Sequence, residues 1–466
     1  MLLITCAARA QTTHWTATGG NWAQDADWTG GKPTGGVDAY VGSAGGHSTA
    51  AVTIVGPGQE CRYLYVGHGD GNDGTVTIEP GGGLTAERLY VGYNGSGTIR
   101  QNGGTCTVER LSVGDGVGWA FFPPVNGVYE LIDGNLDAGY IQVSPTYTGQ
   151  FTQSGGRITT GGMQIGNPDG WGEFRLVDGT LINSGYLGLD QGNSFIQEGG
   201  FHEVKGMSMN FGMSYRKTGG ELLVTGNVYL SSASWFRNEG GDAHIRGNVT
   251  AEEMGQFLVR GGSVHIDGNM LLAEVQQERP RLELQNPDGQ VTVGGTVTLR
   301  GRMEISCAVG AQLHLGGAGF VNELTHTTGL YGLNNLAVVL EGGADQVAVY
   351  EAAGEDVGPD PNGFVGNYTI GTLRIGGEDD VGVVQLVDDF ENTAGDALPE
   401  AVYVERLVVE PGCTLDLNGL SLYYVTGGVD PAGTVLLHGG NLIQVPEPTA
   451  VGLLSVGGLA LLRRKR

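Results

Sequence analysis

The sequence YRKTGGELLVTGNVYLSSASWFRNEGG, residues 215–241, holds one complete copy of a repeat that runs through the middle of the chain. An aromatic residue stands four positions before a Gly-Gly doublet, and the same arrangement returns 21 residues later. On both sides the aromatic recurs at intervals of 20 to 23 residues, with Asp-Gly replacing Gly-Gly in two copies. The seven members are Tyr129, Phe151, Phe174, Phe195, Tyr215, Phe236 and Phe257. Seven aromatics in register indicate a repeated structural unit of about 21 residues.

A glycine-rich, β-branched unit of this length predicts three short strands with their bends, which make one coil of a parallel β-helix. The Leu/Asn consensus of leucine-rich repeats is absent, and no 3.6-residue apolar period supports helical repeats. Each coil pairs with its neighbours about 4.8 Å away, so equivalent side chains stack. We therefore expect the seven aromatics to form a ladder in the core. The alternative is a surface stripe of aromatics that binds sugar rings.

A second column supports the same register. Asn227, Asn248 and Asn269 each follow a glycine and stand 21 residues apart. Asparagine tolerates the left-handed turn conformation, and stacked asparagine side chains can hydrogen-bond to one another. After most doublets the residues alternate between apolar and variable, which is the pattern of a strand with one face inward.

Composition limits the classes of function. The chain has 466 residues, of which 86 are glycine, and its net charge is −26. This charge disfavours binding to nucleic acid or to anionic membrane surfaces. An apolar share of 40% is close to that of ordinary folded proteins, so composition does not predict disorder.

The five cysteines do not form a recognisable framework. Cys6, Cys61, Cys106, Cys307 and Cys413 are widely spaced, without a C-x-x-C pair or a zinc pattern. Disulfides and isolated core thiols both remain open for the last four. Buried thiols are favoured because Cys106 falls on an inward position after its glycine doublet.

The chain is expected to contain five segments. Residues 1–10 have the features of a truncated secretory signal, with Ala8-Arg9-Ala10 as cleavage site, although a frayed terminus is the alternative. Residues 11–50 carry Trp15, Trp22 and Trp28 and are interpreted as an N-terminal cap, with sugar binding by the tryptophans as the alternative. Regular coils are predicted for residues 51–315, and irregular coils or a β-rich module for residues 316–444.

The last segment, residues 445–466, contains Pro446, Glu447 and Pro448, then an apolar run, then four basic residues. The run covers residues 450–462, short of the ~20 residues that span a bilayer comfortably. The basic end would stay on the cytoplasmic side of a membrane. A plain tail anchor is the alternative interpretation. The predicted fold class is therefore all-β, a right-handed parallel β-helix with a Trp-rich cap, a C-terminal β-rich module and a short hydrophobic tail helix.

The order of motif, apolar helix and basic tail resembles the PEP-CTERM sorting signal of bacterial surface proteins. The phrase G-T-x-x-Q-x-G-G … L-x-V-G is similar to repeats of PEP-CTERM and autotransporter-like proteins, and residues 383–424 resemble the C-terminal module of planctomycete-type members. This resemblance implies that a membrane exosortase recognises Pro446, Glu447 and Pro448 and that cleavage follows near the motif. It also implies transient insertion of the tail helix in the inner membrane and delivery to the cell surface or extracellular matrix.

Motifs of chemistry are weak in this sequence. His244 and His265 are one coil apart and should stack on an outward position, where two histidines can bind a metal. A solvent-facing pair is more commonly plain surface, so no metal site is assigned. Asp70, Asn72 and Asp73 lie in a glycine-rich stretch and are candidate calcium ligands, against ordinary turn chemistry.

Parallel β-helices also host polysaccharide lyases and glycoside hydrolases, which place carboxylates along one face. The candidates are Asp388 with Asp389 and Glu173 with Asp178, but their spacing does not distinguish them from solvated turn acids. The sequence therefore favours an exported, non-catalytic structural or adhesive protein without a cofactor, whose expected ligand class is extracellular polysaccharide. A polysaccharide-active enzyme is the alternative.

Overall fold

The computed structural model describes residues 11–116, 126–167, 170–285, 290–317, 319–341, 346–377, 382–392 and 399–446. Strands account for 61% of the structure, and no α-helix occurs in these ranges. The strands form about 18 turns of a parallel β-solenoid, which confirms the predicted all-β β-helix. The chain divides into two compact units, residues 1–226 with 234–242 and residues 227–233 with 243–466.

The first unit holds strands β1 to β20 and most of β22, with a short 3-10 helix at Asp25–Asp27. The strands up to β20 are β1 (Gln11–His14), β2 (Gly19–Asn21), β3 (Val37–Ser43), β4 (Thr49–Ile54), β5 (Gln59–His68), β6 (Asp73–Ile78), β7 (Gly83–Tyr93), β8 (Ser96–Gln101), β9 (Thr105–Asp115), β10 (Asn126–Leu131), β11 (Asn135–Val143), β12 (Thr148–Gln153), β13 (Arg157–Thr160), β14 (Met163–Ile165), β15 (Gly172–Leu176), β16 (Thr180–Leu189), β17 (Ser194–Gln197), β18 (Phe201–Met209), β19 (Ser214–Lys217) and β20 (Glu221–Val224).

The second unit holds β21, the end of β22 and all later strands, with 3-10 helices at Leu333–Asn335 and Pro361–Phe364. The strands are β21 (Val228–Leu230), β22 (Trp235–Ile245), β23 (Val249–Glu252), β24 (Gln256–Ile266), β25 (Met270–Ala273), β26 (Arg281–Leu284), β27 (Gln290–Val293), β28 (Thr296–Gly301), β29 (Glu304–Cys307), β30 (Gln312–Leu315), β31 (Gly319–Leu324), β32 (Leu330–Tyr331), β33 (Ala337–Leu340), β34 (Val347–Glu351), β35 (Gly354–Glu355), β36 (Ile370–Ile375), β37 (Val383–Val387), β38 (Glu400–Val409), β39 (Thr414–Asp416), β40 (Ser421–Val429), β41 (Thr434–Leu436) and β42 (Asn441–Gln444).

The aromatic residues of the repeat stack inside the first unit. Strands β10, β12, β15, β17, β19 and β22 pair in parallel and place six of these residues opposite one another. From Tyr129 to Phe236, consecutive ring centroids are 4.7 to 5.7 Å apart. All six rings are fully buried, so they do not form a surface stripe. Phe257 is also buried, and in the second unit it stands opposite Leu282.

A buried polar column runs beside this ladder, two positions after the aromatic. Its donors bind backbone carbonyls of the glycine turns, so each side chain links a strand to the bend that follows it. Gln197 Nε2 donates to Glu221 O at 2.8 Å, and Lys217 Nζ donates to Gly240 O at 2.6 Å. The members are Gln101, Gln153, Gln197, Lys217 and Asn238, all fully buried. Unbonded carbonyls at each buried bend would be costly, and this column satisfies them.

The second glycine of each doublet has a positive φ, which is 70° at Gly220 and 67° at Gly241. A Cβ at Gly241 would collide with the carbonyl oxygen of Gly220, the equivalent residue of the preceding turn. Only glycine combines this backbone conformation with such a close approach of two turns. The doublets therefore fix the bends at which successive turns stay in register.

The predicted asparagine column is a hydrogen-bonded ladder in the second unit. Asn227 Oδ1 accepts from the backbone N–H of Asn248 at 2.9 Å, and Asn248 Oδ1 accepts from that of Asn269 at 2.8 Å. The ladder extends one turn further, because Asn269 Oδ1 accepts from the N–H of Thr296 at 2.8 Å. The bonds join side chain to backbone, rather than side chain to side chain as the sequence suggested.

The Trp-rich segment consists of solenoid strands. β1 pairs in parallel with β3, and β2 with β4, so parallel pairing begins at Gln11 rather than at residue 51. Trp15, Trp22 and Trp28 are buried and meet edge to face at 4.9 and 5.1 Å between ring centroids. Their burial leaves no ring free to bind a sugar. The early turns escaped the repeat analysis because their paired residues, such as Ala39 and Leu64, are 25 positions apart.

Residues 316–444 continue the solenoid with longer turns. Val338 pairs with Leu373, 35 positions later, and the 3-10 helix at Pro361–Phe364 lies in the intervening excursion. β35 pairs antiparallel with the start of β38, while β38, β40 and β42 stack in parallel. The thiols of Cys61, Cys106, Cys307 and Cys413 are free and buried, and burial raises the pKa of Cys106 and of Cys307 to about 12.

Candidate functional site

The structure places one residue of the predicted sorting motif. Pro446 is exposed and follows the last strand, β42. Glu447, Pro448, the apolar run and the basic end lie outside the described residues, as do residues 1–10 and Cys6. Within the described residues, no helix has the length and apolar character needed to cross a bilayer.

The calcium candidates form an ordinary turn. Asn72 is buried and its amide donates to the carbonyls of His68 at 2.7 Å and Gly69 at 3.2 Å. This amide closes the bend before β6, at whose first position Asp73 lies. In the described part of the chain, Asp70 and Asp73 do not belong to a group of three His, Cys, Asp or Glu side chains able to meet at one ion.

The first pair of enzyme candidates is not built into a site. Glu173 lies on β15, between Gln150 and Ser194 of the neighbouring turns. Asp178 is exposed in the bend, where its carboxylate accepts the backbone N–H of Gly179 at 2.7 Å. This contact is the usual role of aspartate in a turn.

The second pair lies beside two buried carboxyl groups that the sequence did not indicate. Glu351 Oε1 accepts the backbone N–H groups of Asp389 at 2.7 Å and Phe390 at 2.9 Å. Glu400 Oε1 accepts the N–H of Asn392 at 2.8 Å. Glu351 and Glu400 thus hold the loop after β37 against the solenoid.

The pKa values of this group are perturbed in one direction. Burial raises the pKa of Glu400 to about 8, and the negative charges of Asp388, Glu391 and Glu351 act in the same direction. Burial, with repulsion from Glu391, also raises the pKa of Asp388. Glu400 is therefore largely protonated at neutral pH. The cavity lined by Glu351 measures about 10 Å³, far smaller than a sugar ring requires.

The first unit carries an extended outer face on β3, β5, β7, β9 and β11, with polar and aromatic columns. Tyr40, Tyr65 and Tyr90 stack with centroid distances of 4.7 and 4.9 Å and ring planes within 9°. His14 continues the stack at 4.5 Å. A parallel column of His68 and Tyr93, 5.5 Å apart, meets these rings edge to face.

Beside the tyrosine stack runs a column of arginine and tyrosine at the strand corners. Tyr63, Arg88, Arg110 and Tyr140 stand opposite one another in consecutive turns. The Arg88 guanidinium lies 5.6 Å from the centre of the Tyr63 ring, and that of Arg110 lies 5.7 Å from the Tyr140 ring. Arg110 also donates to Gln142 Oε1 at 2.6 Å, and Arg88 to the Tyr90 hydroxyl at 3.2 Å.

Two open grooves follow this corner. One has a volume of about 520 Å³ and is lined by Arg88, Arg110, Tyr140, Gln142 and Gln164 together with two glutamates. Those glutamates, Glu87 and Glu109, are exposed and also line the adjoining groove of about 440 Å³. We name the tyrosine stack, the corner column and these two glutamates the tyrosine–arginine face.

The sequence analysis missed this face, although the signal was present. The repeated phrase L-Y-V-G was recognised, but its tyrosine was not followed back to Tyr40, which precedes Tyr65 by the same 25 residues that separate Tyr65 from Tyr90. The dipeptides Glu87-Arg88 and Glu109-Arg110 give the same register one column away.

Comparison of the chain with models of protein families, with curated proteins and with solved structures finds no match.

Proposed function

We propose that this protein is an exported, non-catalytic scaffold that adheres to extracellular polysaccharide through the tyrosine–arginine face. The observation that carries the proposal is the face itself, in which guanidinium, carboxylate, carboxamide and phenol groups repeat at the spacing of the turns. These groups donate and accept the hydrogen bonds that sugar hydroxyls require. Their repetition over four turns suits a polymer better than a small ligand, because equivalent contacts recur along the face.

The rest of the proposal concerns export and the ends of the solenoid. An exosortase would recognise Pro446, Glu447 and Pro448, cleave near them and release the protein to the cell surface or matrix. The turns are proposed to be right-handed, with the buried tryptophans covering the interior of the first turn. The exposed position of Pro446 after the last strand supports access of a sorting enzyme to this point.

Cell fractionation with intact-mass measurement of the recovered protein tests the export step. The proposal expects surface or extracellular material that lacks the residues after about residue 445. Full-length protein recovered from the cytoplasm would remove both the sorting signal and the surface role.

Co-sedimentation with polysaccharide extracted from the matrix of the producing cells tests adhesion. The double variant Arg88→Ala/Arg110→Ala should bind at least about tenfold more weakly than the wild type, since buried or stacked arginines commonly dominate an interface. The matched control is Arg175→Ala/Arg216→Ala, which removes two exposed arginines of the same unit that are paired with Glu198 and Glu239. Equal loss in both variants would show that binding is general electrostatics and would contradict a specific face.

The alternative, a polysaccharide-active enzyme, has one observation in its favour. Glu400, with a pKa of about 8 beside Asp388, has the protonation state of a general acid at neutral pH. Incubation with the same polysaccharide should release no new reducing ends if the protein is a scaffold. Release that Glu400→Gln abolishes would replace the scaffold by the enzyme.

A further inference from the structure

Three metal-ligating side chains converge on the outer surface of the second unit. His244 lies near the end of β22, His265 lies on β24, and Asp267 follows β24 directly. Asp267 Oδ1 is 2.8 Å from His244 Nε2 and 3.0 Å from His265 Nε2. The three ligand atoms all lie within 4.8 Å of one another. The parallel ladder produces this group, because it places side chains one turn apart side by side.

The distances match those of a metal site. Zinc binds imidazole nitrogen at about 2.0–2.1 Å and carboxylate oxygen at about 2.0–2.2 Å. Two such ligands on one ion, at angles between octahedral and tetrahedral, are therefore roughly 2.9–3.4 Å apart. The observed separations of 2.8 and 3.0 Å need only small side-chain rotations to reach this range.

The orientation of the rings supports convergence on one point. Other stacked rings of the solenoid lie nearly parallel, such as Tyr40 and Tyr65, whose planes differ by 8°. The planes of His244 and His265 differ by 65°, with centroids 5.1 Å apart. This tilt turns both Nε2 atoms toward the same carboxylate oxygen. The side chains are 41 to 51% exposed, so water can complete the coordination of an ion.

We propose that His244, His265 and Asp267 bind a divalent transition-metal ion such as Zn²⁺. Two imidazoles and one carboxylate suit zinc, nickel or copper, whereas calcium and magnesium prefer oxygen ligands alone. The net charge of −26 raises the local concentration of any cation. The site is independent of the tyrosine–arginine face, which belongs to the first unit.

Titration calorimetry of the full chain with zinc sulfate tests the proposal. The wild type should bind one Zn²⁺ at this site, and His244→Gln/His265→Gln should lose that binding. Asp267→Asn should weaken it at least about tenfold, a loss at the low end for perturbing a metal site. The matched control is His47→Gln/His326→Gln, which removes two histidines outside the group and should leave the affinity unchanged.

A second measurement separates loss of the site from loss of the fold. Cobalt(II) added to the wild type should give visible absorption bands that are absent in the double variant, while the far-ultraviolet circular dichroism of the two proteins stays the same. Absence of zinc binding by the wild type, or equal binding by the double variant, would overturn the proposal.

Discussion

Lys217 carries an amine into the interior of its turn, at the position that Gln197 occupies one turn earlier. Its ammonium group reaches a single carbonyl, that of Gly240, and burial lowers its pKa to about 8. Gln197 in the same column binds several carbonyls without any charge. The lysine therefore imposes a desolvation cost that its neighbour avoids.

Replacement of Lys217 by Gln should stabilise the protein at neutral pH. The native pKa of about 8 lies below the usual 10.5, so the penalty is full below pH 8 and fades as the pH rises toward 10.5. We expect the free energy of unfolding to increase by about 1–3 kcal/mol at pH 7 and the gain to shrink by pH 10. Denaturant unfolding at both pH values measures this. The control Lys205→Gln, at an exposed position, should change stability by less than about 0.5 kcal/mol.

At the scale of the element, the aromatic ladder is the rigid part of the first unit. Phe174 lies between Phe151 and Phe195 at centroid distances of 4.7 and 4.9 Å and is fully buried. Phe174→Ala should lower the free energy of unfolding by about 3–5 kcal/mol, because it leaves a cavity and removes two ring contacts. Phe174→Leu should lose less. If Trp171→Ala, which truncates a ring that is 77% exposed, cost as much, the ladder would not be the cause.

The loop after β37 is an element whose attachment depends on pH. The pKa of Glu400 is about 8 in the folded protein, above its usual 4.5, so its contribution is fully present below pH 4.5 and is lost as pH rises through 8. Glu400→Gln should be more stable than the wild type by about 1–3 kcal/mol at pH 8.5 and equal to it at pH 4.5. Thermal unfolding across this range measures the difference. The exposed Glu304→Gln should follow the wild type at every pH.

At the scale of the whole molecule, much of the fold could be predicted because a solenoid repeats its information. The spacing of aromatics and doublets was sufficient to predict the coil, and the asparagine spacing its register. The first turns were assigned to a cap because their period is 25, and no ring or doublet marks them in common with the later turns. Glu351 and Glu400 could not be predicted as partners, since a register step and an irregular loop bring them together.

A solenoid built in this way should tolerate loss of one complete turn. Deletion of residues 198–217 joins Gln197 to Thr218, and Gln197 already stands opposite Lys217 in the ladder. We expect the shortened chain to keep its β circular dichroism and cooperative unfolding, because each turn contacts only its neighbours. Deletion of residues 198–207 alone shifts every later side chain out of register and should abolish folding. Equal behaviour of the two deletions would contradict independent turns.

The stacked rings have an optical consequence. Six nearly parallel chromophores less than 6 Å apart, from Tyr129 to Phe236, form an array in which excitation is shared between neighbours. Such coupling gives near-ultraviolet circular dichroism out of proportion to the number of rings. The protein thus carries an intrinsic spectroscopic reporter in its own interior, and its signal fades when the spacing of the turns is disturbed.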